Sequence, residues 1–417
     1  MIPYSERTRV IVVLGTRSDA IKMIPVIRAL QDSGTFRPVV ISTGEQPKTV
    51  DKLIRQAGLL TDANLRSAEP IRDRRPSRSE RFARVMVGID RVWAGEQVPE
   101  EYRTEGRRGV DGAVACLVHG DTTSAAAAAV TAFNLEIPVV HVEAGLRFPG
   151  QLGAFPQEGN RQIIARIAAM HVAPTTLNKM NLVREGIDYD DVVVTGNTGI
   201  DMLRWAAEQT GGFGPGLEDL ERNPQPRVVL ITAHRRESWE GGIAGIAEAV
   251  RRLAERYPET RFVVPMDRNP VARGPFLAAL WDRDNAYLVE PRDYADFARL
   301  MRAAHLVITD SGGVQEEAPS LGTPVLVARD TMDHSEGVNA GTLTLVGTDP
   351  DRIVSEAALL LDDAAEHARR AAHANPYGDG FAAGRIVQAL DRLLNGAPVS
   401  SDEPPMGDAD HEAESHL

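Results

Sequence analysis

Thr309-Asp310-Ser311-Gly312-Gly313-Val314-Gln315-Glu316-Glu317-Ala318-Pro319 runs into Ser320-Leu321-Gly322-Thr323-Pro324-Val325-Leu326-Val327, and the reading of this stretch decides the fold. The apolar run Leu306-Val307-Ile308-Thr309 before it predicts a buried parallel strand. A tight Ser-Gly-Gly turn follows, then an acidic opening to a short helix. Gly322-Thr323-Pro324 leads into a second buried strand. Two glycines let backbone N–H groups approach an anion, and a helix N-terminus adds its own N–H groups and partial positive charge. Glu316 and Glu317 are expected to favour that helix end. A carboxylate there can also take both hydroxyls of a ribose. Two readings are open: a nucleoside-diphosphate cradle, or an ordinary strand–turn–helix joint. The rest of the chain must choose.

The bulk numbers narrow the choice. A chain of 417 residues is long enough for two domains of ordinary size. Hydrophobic content of 43% and charged content of 25% are those of a globular protein. A net charge of −13 supplies no basic surplus to neutralise phosphates, so no nucleic-acid partner is expected. The one cysteine, Cys116, excludes an intramolecular disulfide and a cysteine-based zinc site. It stands in an apolar run and reads as a core residue. Residues 1–9 are polar and lead directly into a strand, so no signal peptide is expected. No apolar run approaches the roughly 18 residues that cross a bilayer. No membrane association is expected, and the cytoplasm is the expected compartment.

Residues 10–14 predict a strand, Gly15-Thr16-Arg17 a turn, and residues 20–30 a helix from the spacing of Ile21, Ile24, Val26, Ile27 and Leu30. Arg17 and Lys22 sit where cations suit an anion in the crevice of an α/β sheet. Residues 39–43 predict a second strand, and strand-like and helix-like segments alternate from there. That rhythm predicts parallel sheets with helices on both faces. Residues 66–81, rich in Arg, Pro, Ser and Asp, read as a mobile surface loop. Residues 115–118 end in His119-Gly120-Asp121-Thr122-Thr123, which opens an alanine-rich helix. Residues 139–140 end in His141-Val142-Glu143-Ala144-Gly145-Leu146-Arg147. Asp121 and Glu143 thus stand at strand ends, where sheet ligands bind. Asp121 alone could be a helix N-cap; two carboxylates on neighbouring strand ends point to chemistry. Phe155-Pro156-Gln157-Glu158-Gly159-Asn160-Arg161 forms another polar knot before a helix.

Near residue 190 the rhythm restarts. Residues 211–226 are rich in Gly and Pro and predict a loop beside a domain junction. Gly212-Phe213-Gly214-Pro215-Gly216 lacks a preceding strand and carries a proline, so it is no dinucleotide fingerprint. The second half carries predicted strands at 228–232, 262–265 and 287–289. These run into His234-Arg235-Arg236-Glu237, Met266-Asp267-Arg268-Asn269-Pro270 and Glu290-Pro291-Arg292-Asp293-Tyr294. After the opening stretch, Asn375-Pro376-Tyr377-Gly378-Asp379-Gly380 breaks the chain and residues 382–394 predict a final amphipathic helix. From Gly396 on, small and acidic residues predict disorder.

Gly15-Thr16-Arg17 with Ala20-Ile21-Lys22, His119 to Thr123, His141 to Arg147, His234 to Glu237, Thr309 to Gly322 and Asn375 to Gly380 resemble, in order and spacing, segments of the UDP-N-acetylglucosamine 2-epimerases. The resemblance covers roughly residues 10–392. It implies an α/β chain of GT-B architecture, two Rossmann-like doubly wound domains facing a cleft. Residues 8–195 would form the N-terminal domain, with the carboxylates and diphosphate cations, and 196–375 the UDP-binding domain. Residues 376–395 would form a helix returning to the first domain, and 396–417 a disordered acidic tail. The implied reaction interconverts UDP-GlcNAc and UDP-ManNAc at C2, by elimination of UDP to 2-acetamidoglucal and re-addition. Such a route needs cations on the diphosphate, carboxylates for proton transfer and a dry cleft, without metal or NAD. By resemblance, Arg17, Lys22 and His234 bind the diphosphate with the backbone of Ser311, Gly312 and Gly313. Glu317 holds the ribose, Phe297 lines the uracil pocket and Arg161 binds the substrate. Asp121 and Glu143 transfer protons, with Glu158 and His234 counted among the catalytic groups. The family habit also implies a homodimer.

The chain departs from the family pattern in three places. Gln157-Glu158 stands where a Glu pair is usual, and Gln157 cannot accept a proton as a carboxylate does. Glu45-Gln46, with Lys48 nearby, and Asp267 stand where some bacterial members place the polar residues of a second, activating UDP-GlcNAc site. That site is therefore expected to be lost or weakened. Asp333-His334-Ser335-Glu336 replaces a Glu-Arg-Pro-Glu run. Rival readings stay open: a hydrolysing enzyme releasing ManNAc and UDP, a GT-B glycosyltransferase, and a nucleotide-sugar binding protein of weak activity.

Overall fold

The computed structural model describes residues 6–71, 73–94, 112–147, 155–222, 226–330 and 335–399. Residues 400–417 of the expected tail, and Asp333-His334, lie outside them. The chain divides into two compact units. One runs to Thr198 and resumes at Phe381; the other is Gly199–Gly380.

The first unit is built on β1 (Thr8–Leu14), β2 (Phe36–Ser42), β3 (Ala63–Asn64), β4 (Ala113–His119), β5 (Val139–Val142), β6 (Met170–Ala173) and β7 (Val192–Val194). All pair in parallel, in the order β3-β2-β1-β4-β5-β6-β7. Its helices are α1 (Arg17–Asp32), α2 (Pro47–Gln56), α3 (Arg78–Trp93), α4 (Thr123–Asn134), α5 (Gln157–Ile167) and α6 (Thr176–Arg184). The unit boundary falls at the start of α7 (Thr198–Glu208). The strands read as unbroken apolar runs because both faces of a parallel sheet are covered; Val10, Val12, Leu14, Cys116 and Leu117 are all buried. Helix α4 packs between α3 and α5. Its alanines from Ala125 to Ala129 are buried, and small side chains let a helix lie close to its sheet. Gly15 belongs to this close approach: a Cβ there would lie 2.5 Å from Ser124 Oγ.

The second unit repeats the plan with β8 (Val228–Thr232), β9 (Arg261–Pro265), β10 (Ala286–Val289), β11 (Leu306–Thr309), β12 (Val325–Val327) and β13 (Leu343–Leu345), again parallel, in the order β10-β9-β8-β11-β12-β13. Around it lie α8 (Gly242–Arg256), α9 (Pro270–Leu280), α10 (Tyr294–Ala303), α11 (Gly312–Glu317), α12 (Ser335–Asn339), α13 (Pro350–Asp362) and α14 (Ala364–Ala371). Counted from its own first strand, the second sheet has the order 3-2-1-4-5-6 and the first the same order with a seventh strand added at its far edge; each reverses direction beside strand 1, which opens a crevice at the strand carboxyl ends. The reversal falls between β1 and β4 in one unit and between β8 and β11 in the other. The chain closes with α15 (Ala382–Leu394), which packs on α1 inside the first unit, while Arg385 donates to the carbonyl of Thr195 at 3.0 Å.

Two local expectations are corrected. The stretch 66–81 is not loop throughout: α3 begins at Arg78. The Ser77 hydroxyl accepts from the Glu80 amide while the Glu80 carboxylate accepts from the Ser77 amide, a capping box that starts the helix despite the composition. In the opening stretch the glycines are themselves helical. Helix α11 starts at Gly312, so Glu316 and Glu317 fall in its last turn and lend nothing electrostatically to its N-terminus.

Candidate active site

In the first unit the site residues gather at the reversal point. β1 ends at Leu14, and Thr16 caps α1 in a capping box with Asp19. One Asp19 oxygen, Oδ2, accepts from the amides of Gly15 (3.0 Å) and Thr16 (2.9 Å); the other, Oδ1, lies 3.0 Å from His119 Nδ1. The far nitrogen of that ring, Nε2, lies 3.1 Å from Glu143 Oε2. The same Glu143 oxygen takes the Lys22 ammonium from α1. Among the described residues, Glu143 Oε1 has no hydrogen-bond partner. Glu143 itself is held at φ 62°, a left-handed backbone conformation that few non-glycine residues adopt. Burial alone would raise its carboxyl, but Lys22 and His119 outweigh this and hold it far below the usual carboxylate range. Burial likewise opposes charge on His119. The Glu143 and Asp19 carboxylates overcome it and lift the imidazole to about 9.

Asp121 follows β4 and does not cap α4; that position belongs to Thr122, whose hydroxyl accepts from the Ala125 amide. Asp121 is bound by the Arg161 guanidinium. Arg161 in turn donates to Glu158 at 3.1 Å. Glu158 is buried, accepts from Gln162 at 3.0 Å and has Arg147 at 3.6 Å, so both its oxygens are engaged. Gln157 is exposed at the first position of α5. Burial pushes the Asp121 carboxyl up, against the pull of Arg161 and with a contribution from Glu143. The two strand-end carboxylates are therefore driven apart, Glu143 down and Asp121 up. Arg17 opens α1, is exposed, and donates its amide to Gln46 Oε1 at 3.0 Å.

In the second unit the reversal point is built from two threonine hydroxyls, backbone amides and one buried carboxylate. The hydroxyls of Thr232 and Thr309, facing each other across β8 and β11, lie 2.6 Å apart, and Thr309 Oγ1 also accepts from the Ser311 amide at 2.9 Å. Asp310 is wholly buried. Its Oδ2 accepts from the amides of His234 and Arg235, each at 2.8 Å, while Oδ1 makes no hydrogen bond and lies 3.6 Å from His234 Nδ1. His234 is 43% exposed. Ser311 stands at the N-cap of α11 but its side chain makes no capping bond. A Cβ on Gly313 would meet nothing within 4 Å, so the fold does not demand glycine there. Glu317 accepts from the buried Tyr294 hydroxyl at 3.2 Å. Phe297 is half-buried on α10. Beside β10 and the start of α10 lies a cavity of about 710 Å³ lined by Gly216, Tyr287, Arg292, Asp293 and Asp296 among others.

The structure thus brings together Lys22 with Glu143, Asp121 with Arg161 and Glu158 in one unit, and places His234 beside the Asp310-Ser311 joint in the other. Sequence reading passed over Asp19, His119 and Asp310 as participants. A polar residue directly at a strand end was the signal for the last two; the role of Asp19 depends on β1 lying beside β4. Among the described residues no group of His, Cys, Asp and Glu could hold a metal ion, and no helix is long and apolar enough to cross a membrane.

Two parallel α/β units of this kind, one with a Ser-Gly-Gly helix start and the other with ion-paired carboxylates at the reversal point, define a GT-B-like protein. Residues 28–391 match the family model described as UDP-N-acetylglucosamine 2-epimerase. The chain is 38% identical over 392 residues to the UDP-N-acetylglucosamine 2-epimerase of Yersinia pestis, covering 92% of this chain and 98% of that one. Its structure is similar to that of the UDP-GlcNAc 2-epimerase from Neisseria meningitidis bound to UDP-GlcNAc (36% identity, TM-score 0.74, covering 92% of this chain and 100% of that one). It is similar also to the S. aureus MnaA–UDP co-structure (32% identity, TM-score 0.77, covering 93% and 97%). The chain belongs to the UDP-N-acetylglucosamine 2-epimerase family.

Proposed function

We propose that this chain interconverts UDP-GlcNAc and UDP-ManNAc without hydrolysis. A base takes the C2 proton while the C1–O bond breaks and UDP leaves with the bonding pair, giving 2-acetamidoglucal. A proton then returns to the other face of C2 as UDP re-adds at C1. Inversion needs two proton carriers of different readiness, and the observation that carries this reading is the pair of carboxylates at neighbouring strand ends, Asp121 bound by Arg161 and Glu143 by Lys22 and His119, settings that push the first up and the second down. Glu143 stays an anion with Oε1 available, suited to accept a proton; Asp121 is the more easily protonated partner, suited to return one. Arg161 orients Asp121, and Glu158 acts by holding Arg161. Arg17 and Lys22 serve the diphosphate, as do His234, Ser311 and the amides of Gly312 and Gly313, while Glu317 takes the ribose and Phe297 the uracil. Turnover of UDP-GlcNAc in D2O, followed by NMR, tests the proposal. Deuterium at C2 of UDP-ManNAc is expected; free ManNAc with UDP would establish the hydrolysing alternative, and tight UDP binding without exchange a binding protein.

The proposal includes an absent or weak activating site. Glu45 accepts from Ser124 at 2.7 Å and pairs with Arg81 at 3.3 Å, and Asp267 accepts from the Asn269 amide at 2.7 Å. These groups are engaged within the protein. Epimerisation of UDP-ManNAc is expected to be hyperbolic from the first trace of product; a sigmoidal curve relieved by added UDP-GlcNAc would refute this. Pairing into a homodimer and a cytoplasmic location belong to the same proposal, the first checked by light scattering and the second by fractionation of the source cell.

A further inference from the structure

We infer that His119, buried with both ring nitrogens taken up by carboxylates, is a positioning residue that keeps Glu143 ionised and aimed, through the unbroken path from the Gly15 and Thr16 amides to Asp19, His119 and Glu143. The inference rests on the proposed proton-transfer role of Glu143. Its foundation is a count of donors. Both ring nitrogens of His119 face carboxylate oxygens, Asp19 Oδ1 at 3.0 Å and Glu143 Oε2 at 3.1 Å. Ionised carboxylates only accept, so both nitrogens must donate and the ring is an imidazolium. The ring is 4% exposed, and a buried cation needs its partners on both sides.

Two nearby histidines of the same sheet show that this is specific. His141, on β5, is wholly buried and donates from Nε2 to the Gly120 carbonyl at 2.8 Å, leaving Nδ1 unpartnered. Burial pushes it down to about 3, and His171, its register partner on β6, down to about 4. Both are neutral spacers. Of these three, His119 alone meets carboxylates from two elements.

The charged and titratable groups around His119 are Asp19 and Lys22 of α1, Asp121 after β4, and His141 and Glu143 of β5 and its following turn; Arg161 reaches this set through Asp121, and Arg147 acts on His141 directly. With Lys22 and His119 both on Oε2, Glu143 presents Oε1, and α1, which also carries Arg17, is tied to the strand end that holds the base. Removing the imidazolium leaves Lys22 as the one cation on Glu143, so the Glu143 carboxyl must rise and turnover must begin at higher pH.

The experiment compares His119→Gln with the wild type. The expected result is a loss of kcat of about tenfold or more at pH 7.5, with the acid limb of the kcat–pH profile moved up by about one unit and UDP affinity by titration calorimetry held within about threefold. An unmoved acid limb, whatever happens to kcat, overturns the inference. Should that variant not fold, 15N NMR of histidine-labelled protein decides it. In wild type one histidine stays doubly protonated well above pH 7, and Asp19→Asn lowers the midpoint of that same ring by about one unit. If every ring is neutral at pH 8, or if Asp19→Asn moves none, the inference fails. The NMR result does not depend on product identity, so it separates failure of this inference from failure of the epimerase reading.

Discussion

The two reversal points solve the same topological problem with different materials. In the first unit charge comes from side chains: Lys22, Asp19, His119, Glu143, Asp121, Arg161 and Glu158 form two ion-paired groups. In the second, the groups at the joint are mostly backbone amides, with one buried carboxylate, Asp310, fastening the His234–Arg235 turn. Side chains that titrate suit proton transfer, because their charge can change during a reaction. Backbone amides at a helix start suit the proposed holding of a nucleotide, because their dipoles do not change with pH. The difference teaches that a repeated fold can divide labour by what it mounts on equivalent loops.

The sharpest way to break this division is Asp121→Asn. It keeps the shape and removes the titration. Turnover is expected to fall by about 10²–10⁴ while UDP affinity stays close to wild type; unchanged NMR-monitored turnover would remove Asp121 from the chemistry. Gly313→Ala probes the other side. The new methyl meets open space and improves helix propensity, so thermal denaturation should show no loss, while UDP affinity is expected to drop about tenfold because the amides can no longer be approached. Equal UDP affinity in calorimetry would place the diphosphate elsewhere.

Stability against pH provides a third test. His119 is raised to about 9 in the fold and titrates near ~6.5 unfolded. Its contribution is therefore complete below pH ~6.5 and lost as pH climbs through about 9, on the order of 3 kcal/mol if it acts alone. His141 and His171 act in the opposite direction: depressed to about 3 and about 4, they cost stability as pH falls below ~6.5, since the unfolded chain takes up protons that the fold refuses. Urea midpoints measured from pH 4 to 9 should show both limbs, and His119→Gln should flatten the alkaline one alone. The smallest effect is expected at the family departure. Gln157→Glu should change kcat by less than about tenfold, because Glu158, Arg161 and Asp121 are already joined without it. A larger gain would show that the amide limits the reaction.

Much of this was legible in the sequence because parallel strands are buried on both faces and betray themselves as apolar runs. Leu306–Thr309 and Val325–Val327 are such cases. The loops that follow such runs held Asp121, Glu143, His234 and Ser311. What stayed hidden depended on neighbours far away in the chain. Asp19 looks like an ordinary first-turn acid until β1 and β4 are adjacent and His119 reaches it across 100 residues. Helix α3 was concealed by an Arg- and Pro-rich composition, although Ser77 and Glu80 spell its cap. The start of α11 was misplaced because glycine argues for a turn, whereas Gly312 and Gly313 take up helical conformation in place.

One feature of the chain path bears on how the protein comes into being. The second unit is a single continuous segment, Gly199–Gly380, whereas the first is interrupted and recovers α15 only afterwards. During synthesis, the surface of α1 on which α15 packs must wait for its partner until the ribosome has made the whole of the intervening unit. The nascent chain therefore has all of its later unit synthesised before the last element of its earlier one.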